Sequence, residues 1–513
     1  MPWSPGAASD DLTARDLERF EGREVVVTEK LDGENTTLYR DGLHARSLDS
    51  AHHPSRTWVK ALHARIASSL PDDVRVCGEN VAARHSLPYT ELDGYFYAFS
   101  VWRDDQALSW DATVRFAHER GLPTPRVLYR GPYDRKLLRT LRVDPATQEG
   151  WVLRTADGFA FADFGERVAK WVRSGHVQTD AHWMQQPVVP NGLGPTSVLW
   201  DIRSGAPVDP DALAALVGGT ALDVDLPVLG DRRLAVVLAG RLRDAWRSEL
   251  LPGLVGTLGP ALARKTADLV GLYRLLHRDI PEEARAGGLV TLARCADAAG
   301  LHALAEATAP DPEKVRWSRL VAEDAGLLEP DPFRAYREAL DDPDPAVAAF
   351  RLGNALDALA AGRLRSPEEA VAATHGQRPT GVLTVLVGPS GSGKSTVAAR
   401  LGRPTVELDA LREGAEDALS AGLKQLDERK GAAVWDATSL TRQQRDLPVR
   451  IARQHGCLIE LVSVLTARPV AEARNRARKR TVPADVVERQ WHRVRWPYAA
   501  EAHRLVDVCD ADE

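Results

Sequence analysis

The sequence predicts a multidomain protein with an α+β domain over residues 1–200, an α-helical middle domain over 205–375 and an α/β domain with a parallel sheet over 376–513. Three observations predict it. The first part mixes β-branched and aromatic runs (25–28, 95–101, 150–154) with segments of helical spacing (57–69, 112–120). The middle repeats Leu269, Leu272, Tyr273 and Leu276, then Leu352, Leu356 and Leu359, at helical spacing. Breakers at Pro252-Gly253, Pro281, Ala309-Pro310 and Pro343…Pro345 cut it into several helices. The last part alternates apolar runs (382–387, 406–408, 433–435, 458–465) with helical stretches, the order of a parallel sheet. At 513 residues the chain also exceeds what one hydrophobic core supports.

Composition narrows the class. With 44% hydrophobic and 27% charged residues the chain reads as globular rather than disordered. No apolar run approaches a membrane span, and Met1-Pro2-Trp3-Ser4-Pro5-Gly6 lacks a basic-then-apolar leader, so no membrane partner is expected. Cys77, Cys295, Cys457 and Cys509 are scattered without ligand spacing, which suits a reducing cytoplasmic setting. A net charge of −6 excludes a global basic field, so any contact with nucleic acid must come from local clusters.

The N-terminal part is organised around Thr28-Glu29-Lys30-Leu31-Asp32-Gly33-Glu34-Asn35, a strand end running into an Asp-Gly turn. A lysine amine is a nucleophile only when unprotonated. The expectation is that partial burial beside other cations lowers the pKa of Lys30. An isolated Lys-x-Asp-Gly would read as a surface hairpin, but an ordered series follows. It comprises Arg46-Ser47, Cys77-Gly78-Glu79-Asn80 with His85-Ser86-Leu87-Pro88-Tyr89, Tyr95-Phe96-Tyr97-Ala98-Phe99, Glu149-Gly150-Trp151-Val152-Leu153-Arg154, and Val168-Ala169-Lys170-Trp171.

This series resembles the motifs of the covalent nucleotidyltransferases, the ATP-dependent RNA and DNA ligases and capping enzymes. The Gly-Glu-Asn…His-Ser…Tyr run is closest to RNA ligases. The resemblance implies that Lys30 attacks the α-phosphate of ATP, with Glu29, Asp32, Gly33 and Glu34 or Asn35 around the nucleotide. Arg46 would hold a phosphate or ribose with its planar fork. Glu79 and Glu149 would bind the ribose hydroxyl and a divalent cation, Mg²⁺ or Mn²⁺. Tyr97 or Phe99 would stack on adenine, and Lys170 would stabilise charge on departing pyrophosphate. The family often carries a second basic residue beside the last motif. Here Val168 and Ala169 flank Lys170, and Arg167 and Arg173 stand nearby. His176 and Gln178 are further candidates for touching RNA.

The C-terminal part contains Gly388-Pro389-Ser390-Gly391-Ser392-Gly393-Lys394-Ser395-Thr396 between a buried-strand run and a helix over 397–401. In that context the pattern is a phosphate-binding loop. Its backbone N–H groups, from Gly388 through Thr396, cradle phosphates, Lys394 reaches the β- and γ-phosphates, and Ser395 ligates Mg²⁺. Asp409-Ala410-Leu411-Arg412 follows the next strand, Asp436-Ala437-Thr438 the third, and Arg474-Asn475-Arg476-Ala477-Arg478-Lys479-Arg480 lies on an expected helix that puts Arg474 and Arg478 on one face. Together these resemble the 5′-polynucleotide kinases of phage and bacterial end repair. The resemblance implies Asp409 as general base, Arg412 on the acceptor's 3′-phosphate, and Arg474 and Arg478 as a lid.

The middle offers little chemistry. His277-Arg278-Asp279 lacks the further His and Asp that a metal phosphatase needs, so the region is expected to be a spacer or an RNA-handling element. The combined expectation is RNA end healing and sealing with ATP and Mg²⁺ or Mn²⁺. RNA ends, tRNA among them, would be the partners, and a separate 3′-phosphatase would prepare the other end. The alternatives are an RNA ligase whose kinase module acts on a small molecule, and a non-catalytic P-loop scaffold in a repair complex.

Overall fold

The computed structural model describes residues 17–45, 53–136, 141–144, 148–174, 187–207, 209–217, 230–277, 282–411, 417–478 and 480–509. The chain divides into two compact units, Met1–Leu234 and Ala235–Glu513.

In the first unit the strands are β1 (Glu24–Lys30), β2 (Glu34–Leu38), β3 (Leu43–Ala45), β4 (Val74–Asn80), β5 (Phe96–Arg103), β6 (Gln106–Ala107), β7 (Val127–Pro132), β8 (Gly150–Thr155), β9 (Phe159–Ala160) and β10 (Val168–Val172). They form two antiparallel sheets, ordered β10-β8-β1-β7 and β3-β2-β4-β5-β6-β9. The chain crosses from the first sheet to the second in the three residues Leu31-Asp32-Gly33. A side chain at Gly33 would place its Cβ 2.5 Å from the Asn80 carbonyl oxygen, so only glycine lets the crossing lie this close to β4. Strand alternation sets the packing. Val74, Val76 and Phe96 bury one face of the second sheet, with Leu38, under the helix Thr57–Ile66 through Val59, Leu62 and Ile66. Val25, Val27, Trp151 and Leu153 bury one face of the first.

The second unit is built on a five-stranded parallel sheet, β11 (Val382–Val387), β12 (Thr405–Glu407), β13 (Ala433–Asp436), β14 (Leu458–Leu465) and β15 (Arg504–Cys509), in the order β12-β13-β11-β14-β15. The order reverses at β11, so the phosphate loop leaves the sheet at its switch point, where ligands bind in open α/β sheets. β15 was not anticipated from the sequence.

The expected helices of the middle are present, but they share a core with this sheet. Leu251, Leu254, Ala263 and Ala267 pack with Leu383, Val385, Trp435 and Ile459. Arg264 crosses from the helix Pro260–Leu272 to the sheet, donating to Asp507 of β15 at 3.0 Å, to Ser463 Oγ of β14 at 3.0 Å and to the Pro497 carbonyl at 2.9 Å. Pro252, read as a breaker, sits inside the helix Arg247–Leu258. Proline lacks the N–H that would bond the carbonyl of Ser248, and the indole N–H of Trp496 donates to that carbonyl instead, at 2.9 Å. A remote tryptophan thus lets the helix continue.

Candidate active sites

The first site lies at the end of β1. Lys30 pairs with Gly150 across the β1–β8 ladder, so Glu149 stands one residue off the register. The Lys30 ammonium donates to the Glu149 carboxylate. Glu79 lies on β4 opposite Asn35 of β2 and Tyr97 of β5, so these three share a face of the second sheet. Its Oε1 accepts from the Gly33 N–H at 3.1 Å. Lys170 on β10 pairs with Val152, which pairs with Thr28. This puts Lys170 on the same face as Lys30, exposed to solvent. Arg173 braces the strand that carries Glu149: its guanidinium donates to the Gln148 carbonyl at 3.0 Å, and its N–H to the Glu149 carbonyl at 3.1 Å.

The electrostatics differ from the sequence expectation. Burial does pull the Lys30 amine down, but the charges beside it are carboxylates, Glu149, Glu79 and Asp32, and they outweigh burial. The net shift is upward, holding Lys30 as an ammonium. Glu79 is pushed up to about 7 by burial, and Glu149 and Asp32 add to the rise while Lys30 opposes it.

Other expected residues take different posts. Asp32 anchors a loop: its Oδ2 accepts from the Ser86 and Leu87 N–H groups at 2.8 and 2.9 Å, and its own N–H donates to the Tyr89 hydroxyl at 2.9 Å. Glu34 points to the opposite face from Glu79, as strand alternation requires, and forms a buried bidentate pair with Arg56. Glu29 lies on the face of Trp151 and Trp171, beside Arg126 at 3.5 Å, with burial raising its carboxyl. Tyr97 is buried with Leu31, Val81 and Leu92, forming a floor below the Lys30 turn, and its hydroxyl accepts from the Asp93 N–H at 2.8 Å. Phe99 lies at the irregularity in the β4–β5 register. Arg46, His176 and Gln178 lie outside the described residues. Sequence reasoning missed Asn191. Its Oδ1 accepts from the Tyr89 N–H at 3.0 Å and its amide donates to the Val81 carbonyl at 2.9 Å, tying the loop to β4. The turn-forming Pro-Asn-Gly was its only trace in the sequence.

The second site surrounds the phosphate loop. Gly391 and Gly393 adopt φ of 87° and 99°, and a Cβ at Gly391 would sit 2.0 Å from the Ala471 carbonyl oxygen. The loop is braced from three elements. Gly388 N–H donates to the Thr438 carbonyl at 3.1 Å, Thr466 Oγ1 donates to the Ser392 carbonyl at 2.9 Å, and the Ser390 N–H donates to Gln490 Oε1 at 2.7 Å. Thr466 and Gln490 carried no sequence signal, because each acts through the fold. Lys394 donates to the Pro389 carbonyl at 3.0 Å. Burial lowers its amine to about 8, aided by Arg478 and opposed by Asp436 and Asp409, which places all three charges near it. Asp436 is buried at the end of β13, Asp409 is exposed on the helix Leu408–Leu411, and Ser395 and Thr396 are exposed on the first turn of the helix Lys394–Leu401. Arg412 lies outside the described residues.

The expected helical face joining Arg474 and Arg478 is not formed. The helix Arg468–Ala477 stops before Arg478, whose backbone is extended. The cause is buried Asn475. Its amide donates to the Val482 carbonyl at 2.8 Å and its Oδ1 accepts from the Val482 N–H at 3.1 Å, turning the chain back.

Among the described residues no group of three or more His, Cys, Asp or Glu could hold a metal alone. Each site instead offers one or two acidic or hydroxyl donors: Glu79 and Glu149, or Asp436 and Ser395. That donor set fits Mg²⁺ or Mn²⁺ completed by phosphate oxygens and water. The Ser392 hydroxyl, buried in the phosphate loop without a partner among the described residues, fits a bound phosphate. Among the described residues no helix is long and apolar enough to cross a membrane.

The two units thus define a lysine-centred ligase site and a P-loop site. Residues 23–172 match the RNA ligase family model and residues 383–499 match the AAA domain model. The chain therefore joins a segment similar to the RNA ligases to a P-loop segment similar to AAA domains. No curated protein matches it. Among solved structures it is similar to the Naegleria gruberi RNA ligase at 18% identity and TM-score 0.24, over 31% of this chain and 52% of that one. It therefore spans about half of that ligase's length. It is also similar to a Sinorhizobium meliloti gluconokinase (25% identity, TM-score 0.21) and a Janibacter sugar kinase (21%, TM-score 0.21), each over 26% of this chain and 86% of that one.

Proposed function

We propose that this protein heals and seals RNA ends, using ATP at both sites. The observation that carries the reading is one chain holding a lysine set between two carboxylates in an RNA ligase domain and a P-loop lysine near two aspartates. The second site can make the substrate of the first. At the P-loop site the 5′-hydroxyl oxygen of RNA bonds to the γ-phosphorus of ATP, the β–γ anhydride bond breaks and ADP leaves. Asp409 accepts the hydroxyl proton, while Lys394 and Arg478 hold the phosphoryl oxygens. At the ligase site Lys30 Nζ, once deprotonated, bonds to the α-phosphorus of a second ATP and pyrophosphate leaves, with Lys170 near its charge. The new 5′-phosphate then takes the AMP from Lys30. Attack of the 3′-hydroxyl on that phosphate forms the phosphodiester and frees AMP. A divalent cation held by Glu79 and Glu149 would supply charge neutralisation at the α-phosphate.

Two labels test this in the full chain. With ATP labelled at the α-phosphate, the wild type acquires a covalent label and Lys30→Ala does not. With ATP labelled at the γ-phosphate, a 5′-hydroxyl oligoribonucleotide acquires label, and Lys394→Ala abolishes it while still sealing 5′-phosphorylated RNA. Label transfer to a small hydroxylated metabolite in place of RNA would make the kinase module a small-molecule enzyme.

A further inference from the structure

The helical segment of the second unit presents Trp246 at the edge of the P-loop site. Trp246 is 67% exposed, unusual for so large an apolar side chain, and its backbone is held in place. Its carbonyl accepts from the Glu249 and Leu250 N–H groups, both at 3.0 Å, as the N-cap of the helix Arg247–Leu258. The Arg495 guanidinium lies 6.0 Å from its ring centroid. Arg495 is itself pinned by bonds to the His492 and Val494 carbonyls, at 3.1 and 3.0 Å. Its N–H donates to the Leu440 carbonyl at 2.7 Å. Leu440 is four residues past Asp436, a reach of at most about 14 Å. Five residues before Arg495, Gln490 accepts from the Ser390 N–H of the phosphate loop at 2.7 Å, so Trp246, beside Arg495, stands on the phosphate-loop side of the sheet.

The surroundings are positive in a chain of net charge −6. Arg495 lies over the ring, Arg243 is three residues before Trp246 in the chain and Arg493 two before Arg495; all three are exposed, and among the described residues neither Arg493 nor Arg495 pairs with a carboxylate. The acids nearby are Asp244, which faces Arg243 and Arg274, and Glu249 and Glu488, which both face His492. An exposed aromatic on a held backbone, with a guanidinium at its ring and further exposed arginines nearby in the chain, suits a single nucleic-acid strand. Bases stack on the ring and the cations follow the phosphates.

We infer that Trp246, with Arg495 and Arg493, is a stacking platform for the single-stranded RNA acceptor, gripping a base a few nucleotides in from the reacting 5′-hydroxyl. The inference rests on the proposed kinase reading and gives the helical middle a role as part of the acceptor site. The platform predicts a preference for oligomers over the shortest acceptors.

The test is steady-state kinase kinetics of the full chain with a ~10-nucleotide 5′-hydroxyl RNA and with a nucleoside 3′-phosphate. Trp246→Ala is expected to raise KM for the oligomer roughly tenfold, with KM for ATP, kcat and the nucleoside 3′-phosphate reaction unchanged. Trp246→Phe, which keeps a ring, should recover most of the loss. An unchanged oligomer KM in Trp246→Ala overturns the platform, and so does equal weakening of both acceptors. A second arm does not need turnover. Oligomers with 4-thiouridine at each of the first few positions are photocrosslinked to the wild type. A crosslink on the peptide carrying Trp246 supports the platform even if the kinase proves not to act on RNA, and none at any position counts against it.

Discussion

Lys30 and Glu149, 119 residues apart in sequence, form an ion pair at the end of adjacent antiparallel strands, and the pair keeps the proposed nucleophile protonated. Glu149 and Glu79 together outweigh a burial that alone would lower the amine. Glu149→Gln keeps the shape and removes a charge, so burial then dominates and the Lys30 pKa falls. Covalent AMP transfer, measured in single turnovers across pH, should show its acid limb displaced to lower pH by about a unit. The maximal rate should drop by more than about tenfold, because a carboxylate of the site is gone. An acid limb that stays in place would contradict the pairing.

Glu79 predicts a trade between stability and activity. A carboxyl raised to about 7 holds its proton more tightly folded than unfolded. It therefore favours the fold below its ordinary value near 4.5, and that contribution is lost as pH rises from there to about 7. Above pH 7 the buried charge is a burden. Glu79→Gln should melt at a higher temperature than wild type at pH 8, with the difference shrinking toward pH 5, while AMP transfer is lost. Melting curves at the two pH values measure it, and a constant offset would show that the raised carboxyl is not the cause.

These examples also mark what was legible in the sequence. The strands around Lys30 and the phosphate loop were readable because β-branched runs and a contiguous glycine pattern are local signals. The direction of the Lys30 shift was not, because Glu149 and Glu79 reach it only through folding. Glu34 and Asn35 are equal candidates at the motif in the sequence, and only the β2–β4 register puts Asn35, not Glu34, opposite Glu79. Pro252 read as a break because the local rule is sound, and Trp496, remote in sequence, supplies the exception. Helical periodicity carried Arg478 onto the lid helix, since counting residues cannot see Asn475 closing on Val482.

The phosphate loop should be intolerant of a single methyl group. At Gly391 the positive φ already disfavours a side chain, and the added Cβ would collide with backbone, the Ala471 carbonyl, rather than with a side chain that can yield. Gly391→Ala should reduce phosphoryl transfer by more than about a hundredfold, and covalent AMP transfer at Lys30 should remain at the wild-type level. Labelled-phosphate transfer and AMP transfer assayed on the same preparation separate a loop defect from misfolding.

Asn475 should act on rate through Arg478 rather than on nucleotide affinity. Removing its side chain deletes two buried bonds to Val482 and frees the segment that aims Arg478 toward Lys394. With about 1 kcal/mol for each bond, Asn475→Ala should lower kcat by roughly ten- to thirtyfold with KM for ATP nearly constant. Asn475→Asp keeps only the acceptor and should fall between. A rise in KM for ATP with unchanged kcat would instead make Asn475 part of the donor site.

The proposed chemistry repairs one side of a break. Many RNA breaks carry a 5′-hydroxyl and a 2′,3′-cyclic phosphate, and opening and removing that phosphate requires a hydrolytic centre, typically clustered metal ligands. The two proposed sites supply an amine and a phosphoryl donor site, and among the described residues neither presents a cluster of three His, Cys, Asp or Glu to activate water. The pure protein with ATP and Mg²⁺ should therefore join a 5′-hydroxyl to a 3′-hydroxyl end within a stem-loop. The same RNA with a cyclic phosphate should stay open until a phosphatase is added. One gel comparing the two substrates decides it. Sealing of the cyclic-phosphate RNA by the protein alone, retained in Lys394→Ala on a 5′-phosphorylated substrate, would require a third active site.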